Sequence, residues 1–310
     1  MTSHLVLTWL ASAVVAGTPL IFASVGEIVA ERGGVFNLGV EGMMLVGAVS
    51  GFITAVHTHD LVAATAAAMA AAAAVSFILA VLAITFGADQ AVTGLTLALF
   101  GSGLSSFLGK PYIGVPSPVT FQPVAVPVLS HLPILGPVLF QQNVLVYVSY
   151  ALVPAAWAVL SRTRPGLALR ATGEDAATAD ALGLNVAVIR YAGVLIGGAL
   201  AGLAGAYLSL AYTPAWTDNM TGGQGWIAIA LVIFATWNPL RAAAGAYLFG
   251  GVDALGFRIQ VIGGTTPSYF LRMLPYVFTL VVLLLITARS RRPGVPANLG
   301  RPYFREERYG

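Results

Sequence analysis

Runs of about twenty apolar residues recur along this chain, and they constrain its fold more than any other feature. A helix of about twenty apolar residues crosses the hydrocarbon core of a bilayer. Charged residues make up only 9% of the 310 residues, whereas soluble domains carry roughly 25%. The sequence therefore predicts an all-α polytopic integral membrane protein with about nine transmembrane helices, within a range of roughly eight to ten. The predicted segments are 5–25, 38–56, 61–86, 91–108, 142–160, 189–210, 226–238, 242–257 and 271–288.

The sequence predicts a single transmembrane domain over residues 1–310, because no polar stretch is long enough for a separate soluble domain. The absence of cysteine excludes disulfides, thiol catalysis and cysteine metal sites. No lysine or arginine precedes Arg32, so we interpret 5–25 as a first membrane helix and not as a cleaved signal peptide. The short seventh and eighth segments, separated by 238–241, form either a tight hairpin or one interrupted passage.

Arginines are concentrated in two places, which predicts the orientation of the chain. Four lie in or beside the loop 161–188, and six lie in the Arg-rich tail 289–310. Because basic residues are enriched in cytoplasmic loops, we place this loop and the tail in the cytoplasm, and nine passes then put the N-terminus outside. The expected location is a cell membrane that the chain crosses several times. The net charge of +3 follows from this topology, and we expect no nucleic-acid partner.

The stretch 26–47 is the densest polar interruption of the apolar pattern. It carries Glu27, Glu31, Arg32, Asn37 and Glu41 among six glycines. The first two acids are four residues apart, so a helix would place both carboxylates on one face. The glycine pair that follows Arg32 would break the helix before Asn37. The stretch forms either a short cytoplasmic turn with solvated acids or a broken or bent element beside a path through the membrane.

Two further polar interruptions resemble this one in kind. Residues 87–90 (GADQ) precede the membrane segment that begins at about residue 91, and residues 218–225 (DNMTGGQG) precede the apolar run 227–234. The second repeats the order of an asparagine, glycines and then a helix of small and apolar residues. A duplicated or inverted repeat with its site at the junction would produce such a pattern, although the match covers only a few residues.

The loop 109–141 is external in this topology and contains seven prolines and no acidic residue. Prolines at this density prevent a long helix. The loop is therefore an ordered cap over the external mouth, a docking surface or a passive connection. The alanine-rich run 63–74, in contrast, predicts close helix packing, because small residues let helices approach one another.

The loop 161–188 is the most informative polar stretch. Pro165-Gly166 ends one element, and 167–172 can form a short second one. Three acidic residues then flank an alanine-rich turn or two of helix that stops at Gly183. A short acidic helix with a face of small residues suits docking into a groove on another protein. From composition alone, a solvated connection between two membrane helices is favoured.

Three stretches together resemble the membrane permease subunits of bacterial ABC importers in the ribose/branched-chain amino acid superfamily. The stretches are GEIVAERGGVFNLGVEGMMLVGA at 26–48, RPGLALRATGEDAATADALGLNV at 164–186 and GGQGWIAIALVIFATWNP at 222–239, with 89–99 and 192–210 in support. The resemblance extends over residues 19–287. Within the superfamily the chain is most similar to the nucleoside (guanosine-type) and simple-sugar permeases. Ribose-type permeases carry Asp and Ser where this chain has Asn37, Leu38, Gly39 and Glu41.

This resemblance implies that transport is divided among several subunits of an importer in the inner membrane of a bacterium. The loop 161–188 would contain the cytoplasmic coupling helix that receives motion from an ATPase subunit. The implied partners are a second related permease, identical or paralogous, two ATPase subunits and an external substrate-binding lipoprotein. ATP hydrolysis would alternate the permease pair between inward- and outward-facing states. The implied coupling residues are Arg170, Gly173, Glu174, Asp175, Ala179 and Gly183.

ATP itself is not expected to bind to this chain. No G-x-x-x-x-G-K-[ST] phosphate loop is present, and Lys110, the single lysine, is followed by a proline. Energy must therefore come from a partner or from an ion gradient, and we expect no cofactor on the chain. No pair of carboxylates or nucleophile with a base stands out, so we expect a transport subunit and not an enzyme.

Polar residues that border the membrane segments are candidates for the substrate path, because they can hydrogen-bond an uncharged ribose or base edge. Each could instead form an interhelical hydrogen bond. We interpret Trp216, Trp226 and Trp237 as interfacial belt residues, with stacking on a base as the alternative for Trp226. The candidate path residues are Asn37, Glu41, Gln90, Asn219, Gln224 and Trp226.

Asp253 lies inside an apolar segment and requires a partner there. Arg258 is the nearest basic residue in sequence, so we favour a buried ion pair between the two. The alternative is an ion-coupling carboxylate in a secondary transporter that works without an ATPase. His57-x-His59 followed by Asp60 is a weak metal pattern, and we expect no metal site.

Overall fold

The computed structural model describes residues 2–261, 268–289 and 294–304, and these residues are mainly helical. Two strands of three residues, β1 Pro123–Ala125 and β2 Gln141–Asn143, form an antiparallel pair. The helices are α1 Thr2–Arg32, α2 Val40–Thr58, α3 Leu61–Ala80, α4 Gln90–Gly109, α5 Leu135–Leu139, α6 Val144–Arg162, α7 Arg164–Glu174, α8 Ala176–Ala181, α9 Val186–Tyr207, α10 Gln224–Phe234, α11 Pro239–Val261 and α12 Ser268–Arg289.

Six of the described helical stretches are long and apolar enough to cross a membrane. They coincide with the first six predicted segments, and α10, α11 and α12 occupy the positions of the other three. Helices α3 and α9, of 20 and 22 residues, are extended by π-helical turns to Thr85 and Tyr212. The chain is therefore an all-α multi-pass membrane protein, and nine passages remain a prediction. The six stretches are Leu5–Arg32, Val40–Thr58, Leu61–Thr85, Gln90–Tyr112, Val144–Arg162 and Val186–Tyr212.

Helix α1 extends beyond the predicted membrane segment 5–25. Its 31 residues continue to Arg32, as far as the glycine pair that was predicted to break the helix. Gly26 does not interrupt it, because this glycine lies against α9, where an added Cβ would lie 2.8 Å from the carbonyl oxygen of Gly197. The break falls in residues 33–39, where Gly34 has a φ of +89°, and α2 begins directly afterwards.

Glycine and alanine set the closest contacts in the helix core, which α1, α2 and α9 share with α3, α4 and α11. A Cβ added to Gly47 of α2 would lie 2.5 Å from the Cα of Gly202 in α9. A Cβ added to Gly101 of α4 would lie 2.6 Å from the Cα of Gly42 in α2. The alanine-rich run of α3 buries one face against α9, which confirms its packing role. The buried alanines of this face are Ala64, Ala68 and Ala72.

Helix α10 is only about half as long as a membrane-spanning helix. Its 11 residues extend about 16 Å, against about 30 Å for the hydrocarbon core. Residues 213–223 before it are not helical. It ends where Thr236 and Trp237 adopt positive φ angles of 50° and 56°. Helices α10 and α11 contact each other, so the seventh and eighth predicted segments form a tight hairpin and not one interrupted passage.

The proline-rich loop 109–141 is attached to the chain that follows α9. As predicted, it contains no long helix, and its longest helix has five residues. The Phe121 N–H donates to the carbonyl oxygen of Leu210, and the Ser117 N–H donates to that of Pro214, each at 3.1 Å. The loop is therefore an ordered layer over the C-terminal end of α9 and the start of 213–223, and its external position remains a prediction.

Candidate functional site

A cavity of about 680 Å³ lies between helices α1, α11 and α12, the non-helical segment 213–223 and the first turn of α10. Ligand pockets in proteins measure roughly 300–1,000 Å³, so this cavity has the size of a small-molecule site. Aliphatic and aromatic side chains from α1, α10 and α11 form its apolar wall. None of its described lining residues is basic. Its polar side chains are Tyr212, Thr213, Thr217, Asn219, Thr221, Gln224, Asp253 and Tyr276.

The carboxylate of Glu41, in the first turn of α2, holds the N-terminus of α10. One of its oxygens accepts from the Thr221 hydroxyl at 2.5 Å and from the Gly223 N–H at 2.8 Å. The other oxygen accepts from the Gly225 N–H at 2.6 Å. A carboxylate at this position satisfies orphan N–H groups and complements the helix dipole. Gly225 allows the approach, since a Cβ there would lie 2.6 Å from the Cα of Glu41.

The other end of α10 is held by the last turn of α1. The Trp237 indole N–H donates to Glu31, and the Arg32 guanidinium donates to the carbonyl oxygen of Trp237 at 3.3 Å. Arg32 also reaches the carbonyl oxygen of Thr236 at 3.5 Å. These bonds fix the turn that directly follows α10. The short helix is therefore tied to α2 at its start and to α1 at its end.

The acids of 26–47 are buried, so the interpretation of this stretch as a turn with solvated acids is wrong. Glu27 and Glu31 are each 1% exposed, and Glu41 is 6% exposed. Glu27 accepts from the backbone and side-chain N–H groups of Asn37, both at 3.2 Å. The stretch is instead a broken element, in which 33–39 turns back along the end of α1. No ion pair between Arg32 and Glu27 or Glu31 is described. The Arg32 guanidinium donates instead to the carbonyl oxygens that follow α10.

The structure places two of the six candidate path residues, Asn219 and Gln224, in the cavity lining. The buried Oε1 of Gln224 has no hydrogen-bond partner among the described residues. Asn37, Glu41, Gln90 and Trp226 are not in that lining. Their roles in the path remain predictions.

The positions outside the lining have other structural explanations. Gln90 accepts from the Phe36 N–H at 2.7 Å and thereby fixes the turn before α2. Trp226 is 36% exposed on α10.

Trp216 and Trp237 are 0% and 3% exposed, so their assignment to the interfacial belt is wrong. Trp216 is instead packed inside the protein, against Gly109 at the end of α4.

Asp253 does not form the ion pair that the sequence suggested. The guanidinium of Arg258 donates instead to the carbonyl oxygen of Leu5 at 2.6 Å. Asp253 lines the cavity, where the structure describes no hydrogen bond or ion pair to it. The carboxylate thus faces the space in which a ligand would lie.

Sequence reasoning missed the aromatic residues of the cavity. Tyr276 of α12 lines it, and its hydroxyl donates to the carbonyl oxygen of Gly222 at 2.6 Å, which links α12 to the segment before α10. Phe249 and Tyr212 also line it. One signal was available, because Gly250, Asp253 and Gly256 recur every three residues and place small residues beside the acid on one helical face.

The segment 161–188 forms two short helices, α7 and α8, which correspond to the predicted short element at 167–172 and the predicted alanine-rich turn before Gly183. The carboxylate of Asp175 caps α8 by accepting from the Thr178 hydroxyl at 2.5 Å and from its N–H at 3.0 Å. These hydrogen bonds, chiefly that of the hydroxyl, hold the pKa of Asp175 below its usual value. Gly183, with a φ of +86°, ends the turn.

The six predicted coupling residues differ in exposure. Gly173 is buried, and a Cβ there would collide with the carbonyl group of Arg32, so α7 rests directly on the end of α1. Ala179 is buried and Arg170 half-buried, whereas Glu174, Asp175 and Gly183 are exposed. No contact with an ATPase is present in the structure, so their coupling role remains a prediction.

The described part of the tail, 294–304, lies across α7, α8, the start of α9 and the connection 33–39. It follows all the helices in the chain and binds them mainly through backbone groups. The remaining tail positions of 289–310, apart from the end of α12, lie outside the described residues. The hydrogen bonds run from the Asn298 N–H to Gly173 O (2.9 Å), from the Gly300 N–H to Gly34 O (3.2 Å), from Arg190 to Arg301 O (3.0 Å) and from the Tyr303 hydroxyl to Asp180 (2.9 Å).

Metal ligands are not clustered in the part of the chain that the structure describes. No group of three His, Asp or Glu residues is close enough to hold an ion there. His57 is 2.9 Å from the hydroxyl of Tyr112, and Asp60 caps α3 by accepting from the Val62 N–H at 2.8 Å. Two of the three side chains of the weak metal pattern therefore have structural contacts.

Comparison with known proteins supports a transport role. The family described as "Branched-chain amino acid transport system / permease component" matches residues 9–287. The putative glucose ABC transporter permease protein TsgC13 of Haloferax volcanii is 39% identical, over 94% of this chain and 95% of its own length. The nucleoside ABC transporter permease protein NupC of Lactococcus lactis is 35% identical, over 91% and 93%. The guanosine ABC transporter permease protein NupQ of Bacillus subtilis is 33% identical, over 95% of each chain. No solved structure matches the chain.

These matches cover nearly the whole chain and agree with its multi-pass helical fold. They confirm the resemblance stated from the motifs at 26–48, 164–186 and 222–239, and they favour a permease subunit over an ion-coupled transporter or an enzyme. The chain belongs to the branched-chain amino acid transport system permease family and is a membrane permease subunit of an ABC transporter.

Proposed function

We propose that this subunit moves nucleosides across the bacterial inner membrane through the cavity at the N-terminus of α10. The cavity carries the proposal, since its polar lining of hydroxyl and amide groups suits a neutral ligand rich in hydrogen-bonding groups. Its aromatic residues, Tyr212, Phe249 and Tyr276, offer faces for a base. Two relatives are named for nucleosides or guanosine. A third, named for glucose, makes simple sugars the second candidate cargo.

We propose that α10 connects the cavity to the coupling helices during alternating access. Its first residue, Gln224, lines the cavity, and its far end is tied to Glu31 and Arg32. The same end of α1 lies against Gly173 of α7. A displacement of α7 would therefore reach the cavity through the last turn of α1 and then through α10.

ABC permeases work with ATPase and substrate-binding partners. For this chain we propose a second related permease, two ATPase subunits and an external binding lipoprotein. The face formed by α7 and α8 would be cytoplasmic and would meet an ATPase through its exposed positions, which include Glu174 and Gly183. The C-terminal tail would lie on the same side, and the N-terminus outside. ATP would be bound and hydrolysed by the partner, with no cofactor on this chain.

Reconstituted transport tests the proposed cargo. Proteoliposomes would contain this chain with its permease and ATPase partners, with ATP inside and the binding protein outside. We expect labelled guanosine to accumulate, with ADP in place of ATP as the control. Uptake of glucose or ribose without guanosine would refute the nucleoside assignment and support a sugar. Guanosine uptake driven by an ion gradient without ATP would refute the ATP-driven mechanism.

A further inference from the structure

The side chain of Asp253 is an ionisable group in the cavity lining, and no hydrogen bond or ion pair to it is described. It lies on the face of α11 that also carries Phe249, Gly250 and Gly256, all of which line the same space. Gly250 holds this face close to α1, because a Cβ added there would lie 2.3 Å from the carbonyl oxygen of Ala13. An ionisable side chain within a membrane segment is costly unless it is paired or serves a site, and Arg258, the basic residue nearest in sequence, binds elsewhere.

The surroundings of Asp253 define what it can bind. None of the described lining residues is basic, and the opposite wall presents the neutral side chains of Thr217, Asn219 and Gln224. A carboxylate there can accept hydrogen bonds from a neutral ligand but would repel a phosphate or another carboxylate. The ligand must therefore supply donors, and two adjacent donors would satisfy both oxygens.

We propose that Asp253 binds a vicinal diol of the cargo, with each hydroxyl donating a hydrogen bond to the carboxylate. This assignment rests on the proposed function and names the group by which the cavity selects its cargo. Acidic side chains bind ribose hydroxyls in the same way in dinucleotide sites. Vicinal hydroxyls occur in nucleosides and in simple sugars alike, so one residue accounts for both kinds of cargo named among the relatives. The same carboxylate would disfavour a phosphorylated cargo by charge repulsion.

The test compares guanosine with 2′,3′-dideoxyguanosine, which lacks the diol, in proteoliposomes containing the complete complex. The measured quantity is the rate of guanosine uptake divided by the rate of 2′,3′-dideoxyguanosine uptake. This ratio does not depend on how much complex is present. The binding protein also selects cargo, but its contribution is the same for every variant and cancels when ratios are compared. The variants are Asp253→Asn, which keeps the shape, and Asp253→Glu, which keeps the charge. Asp218→Asn, on the same segment as Asn219 but outside the cavity lining, is the matched control.

The ratio should fall at least about tenfold in Asp253→Asn, since hydrogen bonds to a charged acceptor are lost. It should recover in part in Asp253→Glu and stay unchanged in Asp218→Asn. ATP-dependent guanosine uptake with an unchanged ratio in Asp253→Asn would refute the diol assignment and leave the proposed function intact. Inosine lacks the 2-amino group of guanosine. If Asp253→Asn changed the ratio of guanosine to inosine uptake but not that of guanosine to 2′,3′-dideoxyguanosine uptake, Asp253 would bind the base, and the diol assignment would also be refuted.

The remaining outcomes concern the cargo itself. If the wild-type complex takes up glucose instead of guanosine, the same ratio is measured with methyl glucoside and methyl 3-deoxyglucoside, which has no two adjacent hydroxyls, and Asp253→Asn should again reduce it. If the wild-type complex takes up neither cargo in an ATP-dependent way, the proposed function is wrong and the diol assignment fails with it.

Discussion

The hydrogen bonds around Glu41 provide the sharpest test of how the short helix α10 is held. Glu41 accepts from the Thr221 hydroxyl and from the N–H groups of Gly223 and Gly225. Glu41→Ala removes all three acceptor contacts at once. Thr221 is 1% exposed and Gly225 is buried, so water cannot replace the lost acceptor without opening the helix core.

The expected cost follows from the number of buried donors left without a partner. Each unsatisfied buried donor costs about 1–3 kcal/mol, and Gly223, which is half-buried, costs less. Glu41→Ala should therefore lower the free energy of unfolding by about 3–6 kcal/mol, a large part of the roughly 5–15 kcal/mol that stabilises a typical domain. Glu41→Gln keeps one acceptor oxygen but turns an amide donor toward N–H groups, so its cost should be about 2–3 kcal/mol.

Thermal unfolding of the purified chain in detergent measures this effect. The midpoint should fall by about 6–12 °C in Glu41→Ala and by less in Glu41→Gln. Glu174→Gln is the matched control, because Glu174 is exposed and its substitution should change stability by about 0.5 kcal/mol or less. Equal midpoints for Glu41→Ala and the control would refute the argument that this carboxylate holds α10.

Three further predictions concern other contacts. Gly101→Ala should destabilise the chain by about 1–3 kcal/mol, because the added Cβ forces α4 away from α2. Gly103→Ala should not, because no atom lies within 4 Å of the added Cβ. Thermal unfolding of the two variants in parallel checks this difference. Trp237→Phe should cost about 1–3 kcal/mol, because it removes the donor to the buried Glu31, and a midpoint equal to that of the wild type would contradict this interpretation. Glu174→Arg should abolish ATP-driven uptake while the complex still assembles; full transport by this variant would exclude Glu174 from the coupling surface.

The sequence predicted well those features that depend on local composition. The apolar runs identified the class of protein and six of the helices, and the glycines after Arg32 correctly located the break before α2. The alanine run correctly indicated close packing of α3. These features succeed because hydropathy, glycine and small residues act on the chain segment that carries them.

Features that depend on distant partners were not predicted. The burial of Trp237 depends on Glu31, more than two hundred residues away. The shortness of α10 depends on positive φ angles at Thr236 and Trp237, which neither residue type favours on its own. The open carboxylate of Asp253 became evident only when Arg258 proved to bind the backbone of α1. Reasoning from the sequence pairs a buried acid with the nearest basic residue along the chain. In the folded protein that residue, Arg258, binds a backbone carbonyl group instead.

The tail segment 294–304 has a consequence for biosynthesis. It follows every helix in the chain, so the ribosome makes it after all the membrane segments, yet it completes the surface formed by α7, α8 and Gly34. A chain released before residue 294 would insert its helices but would lack part of the face that we propose meets the ATPase. The order of synthesis would thus restrict assembly to finished copies, and we expect a chain truncated at residue 293 to reach the membrane but to co-purify poorly with its ATPase.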